Sequence, residues 1–218
     1  MLLRALLIFT FYICFVSCCG DDCAGTYIIQ GIVTSNVDST PCAGFEVEIE
    51  EQILQGGVLN GFYESIVTLT TDATGFYYHE FPRNNAISYR INVNQDGWFP
   101  LSEEISPDLF TPNTPVDVNL ITTPRADLEI KVINSPPSLE TDKMRVRLLK
   151  SFKNYSTCNT EWKVYNGTDI DSTSTCILPG DVWMPYLSID QSDEEVEVTV
   201  IDSVFCLAFE TTTINVVY

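Results

Sequence analysis

Cysteines are the residues of this 218-residue sequence with the most chemistry open to them, because thiols form disulfides, bind metals or accept lipid. Cys158 and Cys176 enclose 17 residues, and a disulfide between them is predicted to contribute about 3 kcal/mol of stability. Pairing of Cys23 with Cys42 is a weaker prediction, and Cys206 is either a buried thiol or a competing partner. No C-x-x-C pair stands outside the leader region, so no metal site is predicted from the cysteines.

Other candidates for catalysis or metal binding are weakly supported. The one histidine, His79, has no convincing nucleophile or orienting acid near it in the sequence. Clustered carboxylates such as Glu103-Glu104 could bind calcium, but no D-x-D-x-D-G loop is present and solvated charge at turns is the simpler reading. We therefore predict no catalytic residue, no metal and no cofactor. An enzyme with an unrecognised carboxylate pair remains an alternative.

Aromatic side chains supply the one candidate ligand-binding residue. Trp162 lies between Glu161 and Lys163, a setting that favours an exposed ring able to stack on a sugar. Trp98 and Trp183 are expected to pack in a core or at its edge.

The charge balance restricts the partners. Eleven Lys and Arg stand against 30 Asp and Glu, for a formal net charge of −19. Nucleic-acid binding needs a basic surface that neutralises phosphates, so this class of partner is not expected.

The first 17 residues form a hydrophobic leader. Arg4 gives it a basic start, and Ala5–Val16 is a 12-residue apolar run interrupted only by Thr10. A helix needs roughly 20 apolar residues to cross a bilayer. The segment therefore indicates a secretory signal peptide, with an uncleaved membrane anchor as the alternative.

The end of the leader carries a more specific pattern. Phe15-Val16-Ser17-Cys18 resembles the lipobox of bacterial lipoproteins, although Phe15 stands where leucine is usual. The resemblance implies acylation of Cys18, with Cys19 as the fallback; ordinary secretion with both cysteines in disulfides is the alternative. Asp21-Asp22 resembles an acidic sorting signal of some Gram-negative lipoproteins. It implies an outer-membrane protein that faces the cell exterior and is held to the membrane by its acyl chains.

Beyond the leader the sequence alternates between apolar and polar residues with little helical periodicity. The clearest alternating segments are 45–50, 86–93, 116–120, 127–132, 196–200 and 213–217. Such alternation is typical of antiparallel sheets with one solvated face. Many short strands separated by turns predict an all-β fold of sandwich or barrel type.

A domain boundary is predicted near Pro124. Alternation ends at Ile121 and resumes at Asp127. The net charge changes from −13 over residues 18–124 (2 basic, 15 acidic) to −7 over residues 125–218 (8 basic, 15 acidic). The predicted division is a signal peptide at 1–17, a tether at 18–25, and β-sandwiches at 26–123 and 124–218. One continuous sandwich is the alternative.

The first predicted sandwich contains several short motifs in a recognisable order: Gln30–Val33, Thr40–Val47, Thr70–Tyr77, Tyr89–Val93 and Asp96–Trp98. In this order they resemble the carboxypeptidase regulatory-like, or transthyretin-like, domains, although residues 51–64 are longer than a bare hairpin requires. The resemblance implies an antiparallel Greek-key sandwich of immunoglobulin-like layout that is non-catalytic. Asp72 is expected to cap a hairpin turn in which Gly75 takes a positive φ. The second sandwich shows the same strand spacing without a motif of its own.

The sequence thus predicts a non-enzymatic, surface-anchored lipoprotein that acts as a binding or scaffolding module of the bacterial cell envelope. Its expected partners are the membrane, through the acyl chains, and an envelope protein or glycan. A carbohydrate-binding lipoprotein is the alternative that Trp162 would serve.

Overall fold

The computed structural model describes residues 25–55, 58–59, 61–192 and 196–218, and strands dominate this part of the chain. In the first half the strands are β1 (Thr26–Ser35), β2 (Glu46–Gln55), β3 (Val58–Leu59), β4 (Glu64–Thr70), β5 (Phe76–Pro82), β6 (Ala86–Val93), β7 (Leu101–Ile105), β8 (Pro115–Asp117) and β9 (Leu120–Thr122). In the second half they are β10 (Arg125–Ile133), β11 (Lys143–Leu148), β12 (Lys163–Asn166), β13 (Asp171–Pro179), β14 (Val182–Asp190), β15 (Val198–Cys206) and β16 (Thr211–Val217). The helical content of the described residues is one 3-10 turn, Pro107–Leu109. The predicted all-β fold is confirmed.

The first sandwich packs two sheets around an aromatic-rich core. One sheet has the order β5-β1-β8, with β9 also paired to β1; the other has the order β3-β2-β6-β7, with β4 paired to β2. Inward-facing side chains of both sheets form the core, among them Ile29, Val47, Tyr89 and Ile91, each with no exposed surface. Alternation along each strand buries one face and solvates the other, as the sequence pattern predicts.

The second sandwich follows the same plan with smaller side chains. Its sheets have the orders β13-β10-β16 and β12-β11-β14-β15. Leu128, Val146, Leu178 and Met184 are fully buried between them. Strand β15 is an edge strand in this layout, paired only with β14 among the described residues.

Not every strand pair is antiparallel. β1 pairs in parallel with β8 and β9, and β10 pairs in parallel with β16. The segment 116–120, predicted as one strand, is divided between β8 and β9 because Val118 and Asn119 leave the ladder. Val118 N–H still bonds Gln30 O at 2.8 Å, and the Asn119 side chain accepts from Ile32 N–H at 3.0 Å. The break in pairing is therefore compensated by local hydrogen bonds.

The predicted hairpin at Asp72–Gly75 is instead a turn between the two sheets. It joins β4, which pairs with β2, to β5, which pairs with β1. The expected local chemistry is present: the Asp72 carboxylate accepts from Thr74 N–H at 2.8 Å and Phe76 N–H at 3.0 Å, and Gly75 has φ +73°. Turn residues determine the reversal of the chain but not which sheet the next strand joins.

Candidate functional site

The predicted lipidation residues lie outside the described part of the chain. Cys18 and its fallback Cys19 fall within residues 1–24, as do the predicted signal peptide and Cys23. None of the described residues forms a helix with the length and hydropathy that crossing a bilayer requires.

The predicted disulfide is present between Cys158 and Cys176, with their Cα atoms 5.0 Å apart. It fastens the segment after β11 to strand β13. Hydrogen bonds reinforce the attachment: Thr157 N–H donates to Ile177 O at 2.9 Å, and Ile177 N–H donates to Thr157 Oγ1 at 2.8 Å. The segment is thereby held rigidly against the edge of the second sandwich.

The weaker prediction that Cys42 pairs with Cys23 is corrected, because Cys42 carries a free thiol. Cys42 belongs to the core of the first sandwich and is 5% exposed, which leaves its sulfur enclosed by that core. Cys206 is also a buried free thiol, which is one of the two alternatives that the sequence left open for it. Burial raises the pKa of both thiols, with the nearby Asp38 carboxylate adding to the effect at Cys42.

Metal-binding clusters do not occur among the described residues: no group of three or more His, Cys, Asp or Glu side chains is placed to share an ion. His79 lies on β5 with its ring stacked on Phe81, at 6.0 Å between centroids. Burial lowers the pKa of His79, and the Glu80 carboxylate opposes that shift.

Trp162 is half-buried beside two arginines. The guanidinium carbons of Arg145 and Arg147 lie 4.3 and 4.7 Å from the Trp162 ring centroid. These contacts are cation–π interactions, in which the face of the indole ring attracts the positively charged guanidinium groups. The structure thus places the predicted sugar-stacking residue in a cationic setting.

An exposed apolar surface lies on the sheet that contains β14 and β15. Met184 and Val204 face the core, so the odd-numbered residues of both strands face outward. Trp183 lies directly opposite Phe205, with ring centroids 5.4 Å apart, and Leu187 lies opposite Ile201. We call this outward side the outer face; it comprises Arg145, Arg147, Val164, Trp183, Leu187, Ile189, Ile201 and Phe205.

Several apolar side chains of the outer face are well exposed. Trp183 is 59% exposed, Ile201 69% and Phe205 40%. Single exposed apolar residues are ordinary, but neighbours that share one face mark an interaction surface. The sequence held a signal for this face, since β15 carries apolar residues at both even and odd positions, whereas a strand with one solvated face alternates.

Basic residues border the outer face on one side. Six of the eleven Lys and Arg residues fall within 143–163, which contains a single acid, Glu161. Ion pairs elsewhere in the described chain are few: Arg90 with Glu50 at 2.7 Å and Arg125 with Asp96 at 3.6 Å. Neither Arg145 nor Arg147 has a carboxylate within ion-pair distance among the described residues. A protein of net charge −19 therefore keeps a positively charged border beside its apolar patch.

Comparison with known proteins gives no family for this chain. No protein-family model matches the sequence. No curated protein matches it either.

Several solved structures are similar to this chain at low identity. The Bacillus anthracis TIE protein aligns over 89% of this chain and 34% of its own, with 10% identity and a TM-score of 0.41. A streptococcal ancillary pilin aligns over 87% of this chain and 62% of its own, with 15% identity and a TM-score of 0.37. Catechol 1,2-dioxygenase from Acinetobacter aligns over 48% of this chain and 54% of its own, with 16% identity and a TM-score of 0.34. This chain spans less than two thirds of each of these structures.

Proposed function

We propose that this protein is a non-enzymatic binding module, lipid-anchored at the bacterial cell surface, that docks an acidic protein partner on its outer face. The observation that carries the proposal is the apolar row formed by the exposed Trp183, Ile201 and Phe205, with the half-buried Leu187 between them, beside a basic border. Tryptophan and arginine are the residue types that most often supply the binding energy of protein interfaces.

The partner is assigned as acidic because the border of the patch is basic. Lys143, Arg145 and Arg147 all lie on β11, and the two arginines lack carboxylate partners among the described residues. A partner with apolar side chains surrounded by carboxylates would satisfy both parts of the face. Complementary charge also accelerates association and excludes basic competitors.

The anchor is assigned to Cys18, with Cys19 as the fallback, on the strength of the lipobox-like sequence. Several acyl chains on one cysteine hold a soluble body to a membrane stably, since each buried methylene contributes about 0.8 kcal/mol. Residues 18–25 would act as a tether, and the first sandwich as a carboxypeptidase regulatory-like spacer that holds the outer face away from the membrane. The outer membrane, facing the exterior, is the proposed location.

No reaction is assigned, because the candidate base, His79, packs against an aromatic ring. His79 stacks on Phe81, and no described hydroxyl, thiol or carboxylate shares a hydrogen bond with it. A general base needs such a partner within hydrogen-bond reach.

Acyl labelling tests the anchor. Cys18→Ala is expected to abolish incorporation of labelled palmitate in the native host, whereas Cys19→Ala leaves it intact. Loss of label from the Cys19 variant alone would move the site to the fallback residue, and label retained in both variants would overturn the anchor.

Site-specific crosslinking tests the docking face. A photoreactive phenylalanine analogue at Ile201, in the full chain expressed in its native envelope, is expected to crosslink an acidic protein identified by mass spectrometry. The same analogue at Ile121, which is 61% exposed on the first sandwich, is the matched control. Arg145→Glu is expected to abolish the Ile201 adduct, while Lys131→Glu on the opposite sheet retains it.

The outcomes of this experiment separate the alternatives. Equal adducts from both positions, an adduct that survives Arg145→Glu, or adducts only with a second copy or a glycan would each overturn the assignment of an acidic protein partner.

A further inference from the structure

The second sandwich has an open side between strands β15 and β16. Each is the last strand of its sheet: among the described residues β15 pairs only with β14, and β16 pairs only with β10. The two strands meet near their connecting turn, where Thr212 Oγ1 donates to Phe205 O at 3.3 Å. Away from this turn a cleft of about 180 Å³ lies between them, and we call it the edge cleft. Two strand edges therefore border one cleft.

The core is incompletely covered at the edge cleft. Residues two apart on a strand share one side, yet on the inward side of β15 Cys206 has no exposed surface while Val200 and Val198 are 45% and 51% exposed. These two valines line the edge cleft together with the buried Met144 and Val216. Covering them would remove apolar surface from water, which favours association. One further strand beside β15 would provide that cover.

The backbone of β15 supplies the means of holding such a strand. An edge strand presents unpaired N–H and C=O groups that serve as a template for another strand. β15 is nine residues long and contains neither proline nor lysine, two residues with which natural edge strands prevent pairing. Every pair in its sheet is antiparallel, so an added strand that continues this sheet is antiparallel as well.

The charge around the edge cleft is negative. No Lys or Arg follows Lys163, whereas residues 164–218 contain ten Asp and Glu. Asp190 lines the edge cleft, and Asp202 lies on the same inward side of β15 as Val200. Neither carboxylate forms an ion pair among the described residues. A second copy of this chain would bring the same acids against them, whereas a strand with a basic side chain would complement them.

We propose that β15 accepts an extended segment of a partner protein as an added antiparallel strand, with a basic residue opposite Asp202 and apolar residues opposite Val200 and Val198. Main-chain hydrogen bonds supply the affinity of such a complex, and alternate side chains supply its selectivity. The site uses the backbone edge and the inward side of β15, whereas the outer face uses the outward side chains of the same strand. The inference goes beyond the proposed function and does not rest on it.

Fluorescence anisotropy of a labelled peptide tests the proposal on the full chain in neutral detergent micelles. The probe is the blocked peptide Thr-Lys-Thr-Val-Thr-Val-Thr, in which the lysine and both valines fall on one side of a strand. It is expected to bind saturably. The same peptide with glutamate in place of lysine is expected to bind at least about fivefold more weakly, because like charges opposite each other in a sheet repel.

Backbone methylation distinguishes strand addition from simple attraction of charge. Two further copies of the probe are N-methylated on one or the other set of alternate residues, so that only one copy loses the amides that face β15. That copy is expected to bind about tenfold more weakly, because its main-chain hydrogen bonds to β15 are lost. The other copy is expected to bind like the probe. Hydrogen exchange should slow at the β15 amides that point away from β14.

Variants make the test specific to the edge cleft. Asp202→Lys is expected to weaken the probe at least about fivefold and to strengthen the glutamate peptide by a similar factor, which also shows that the variant is folded. Glu103→Lys makes the same charge change on β7 of the first sandwich and is expected to leave both affinities unchanged. Trp183→Ser on the outer face is also expected to leave them unchanged, so failure here is distinguishable from failure of the docking proposal.

The proposal is overturned if the lysine and glutamate peptides bind equally, if both methylated copies bind alike, or if no peptide binds. Protection of the β15 amides that rises with protein concentration in the absence of peptide would assign the edge to a second copy and overturn it as well.

Discussion

Two buried tyrosines of the first core show how much one hydroxyl can differ from another. Tyr89 has no exposed surface, is surrounded by the rings of Tyr27, Phe81 and Phe110, and has an Oη with no partner among the described residues. Tyr77 is 2% exposed, but its Oη donates to Val118 O at 2.6 Å. Burying a hydroxyl group without a hydrogen-bond partner lowers the stability of the fold, whereas burying one that is hydrogen-bonded does not.

Replacement by phenylalanine is therefore expected to have opposite effects at these two positions. Tyr77→Phe should lower the free energy of unfolding by about 1 kcal/mol, because it leaves the Val118 carbonyl without its donor. Tyr89→Phe should leave that free energy unchanged or raise it by up to about 1 kcal/mol. Urea denaturation of both variants measures the difference, and a larger loss from Tyr89→Phe than from Tyr77→Phe would contradict the argument.

Alkaline pH provides a second measure of the same burial. Burial raises the pKa of Tyr89 to about 12, above its ordinary value of 10.0. The folded state therefore holds this proton more tightly than the unfolded state, so the associated stability is present below pH 10 and is lost as the pH rises toward 12. The stability of Tyr89→Phe relative to the parent is expected to increase between pH 10 and 12. A constant difference over this range would show that Tyr89 ionises normally in the folded protein.

At the residue scale, the sequence predicted the disulfide-forming residues better than it predicted which side chains are exposed to solvent. The Cys158–Cys176 pair was predictable from spacing in an exported chain and is confirmed. Trp162 was the better candidate for an exposed ring, yet the 59% exposed Trp183 is the tryptophan of the outer face. Trp162 packs beside Arg145 and Arg147 of an adjacent strand. Alternation along one strand does not contain that information, because exposure depends on what the neighbouring strands carry.

At the scale of elements, turns carry specific demands that alternation does not reveal. Gly44 and Gly75 both have positive φ, +76° and +73°. A Cβ at Gly44 would meet no atom within 4 Å, whereas one at Gly75 would lie 2.6 Å from Val33 O and 3.1 Å from Cys42 N. Gly75 therefore satisfies a backbone conformation and a close approach at once, while Gly44 satisfies only the conformation.

This contrast predicts unequal effects of alanine. Gly44→Ala should cost about 1 kcal/mol for its left-handed conformation, and Gly75→Ala about 3 kcal/mol, since the clash with backbone atoms adds to the same strain. The two variants act as controls for each other in thermal denaturation. Equal losses would mean that the turn between β4 and β5 relaxes freely.

The disulfide acts on an element rather than on a residue, since it fastens the segment between β11 and β12 to β13. Changing Cys158 and Cys176 together to serine, in a background where Cys42 and Cys206 are alanine, is expected to lower the free energy of unfolding by about 3 kcal/mol. That background excludes disulfide exchange with the two free thiols. A loss below about 1 kcal/mol would show that the hydrogen bonds of Thr157 to Ile177 hold the segment without help.

Alternation predicted the elements of the fold but not their partners. The segment 86–93 coincides with β6, and 127–132 lies within β10. The parallel pairs of β1 with β8 and of β10 with β16 join segments that are far apart in sequence. Such pairing depends on loop entropy and on the packing of both cores, which short-range patterns do not report.

At the scale of the whole molecule, the two cores are linked by a small junction of backbone bonds and rings. Arg125 N–H donates to Gly97 O at 2.8 Å, and Phe99 N–H donates to Thr123 O at 2.9 Å. The ring of Phe209, in the second sandwich, lies with its centroid 5.4 Å from that of Trp98, in the first sandwich. The predicted boundary near Pro124 falls within this junction and remains a prediction until the unfolding of the two parts is measured.

Phe209 is the side chain of the junction whose removal should show how strongly the two sandwiches are coupled. It has φ +66°, a conformation that bulky residues seldom adopt, and its ring packs against Trp98. Phe209→Ala removes an aromatic pair worth about 0.5–1.5 kcal/mol beyond its buried area.

The parent is expected to unfold in one calorimetric transition and Phe209→Ala in two. Phe205→Ala, which removes an aromatic ring from the outer face and not from the junction, should keep a single transition. Two transitions in the parent would show that the junction couples nothing, and a single transition in Phe209→Ala would place the coupling in the backbone bonds around Gly97 and Arg125.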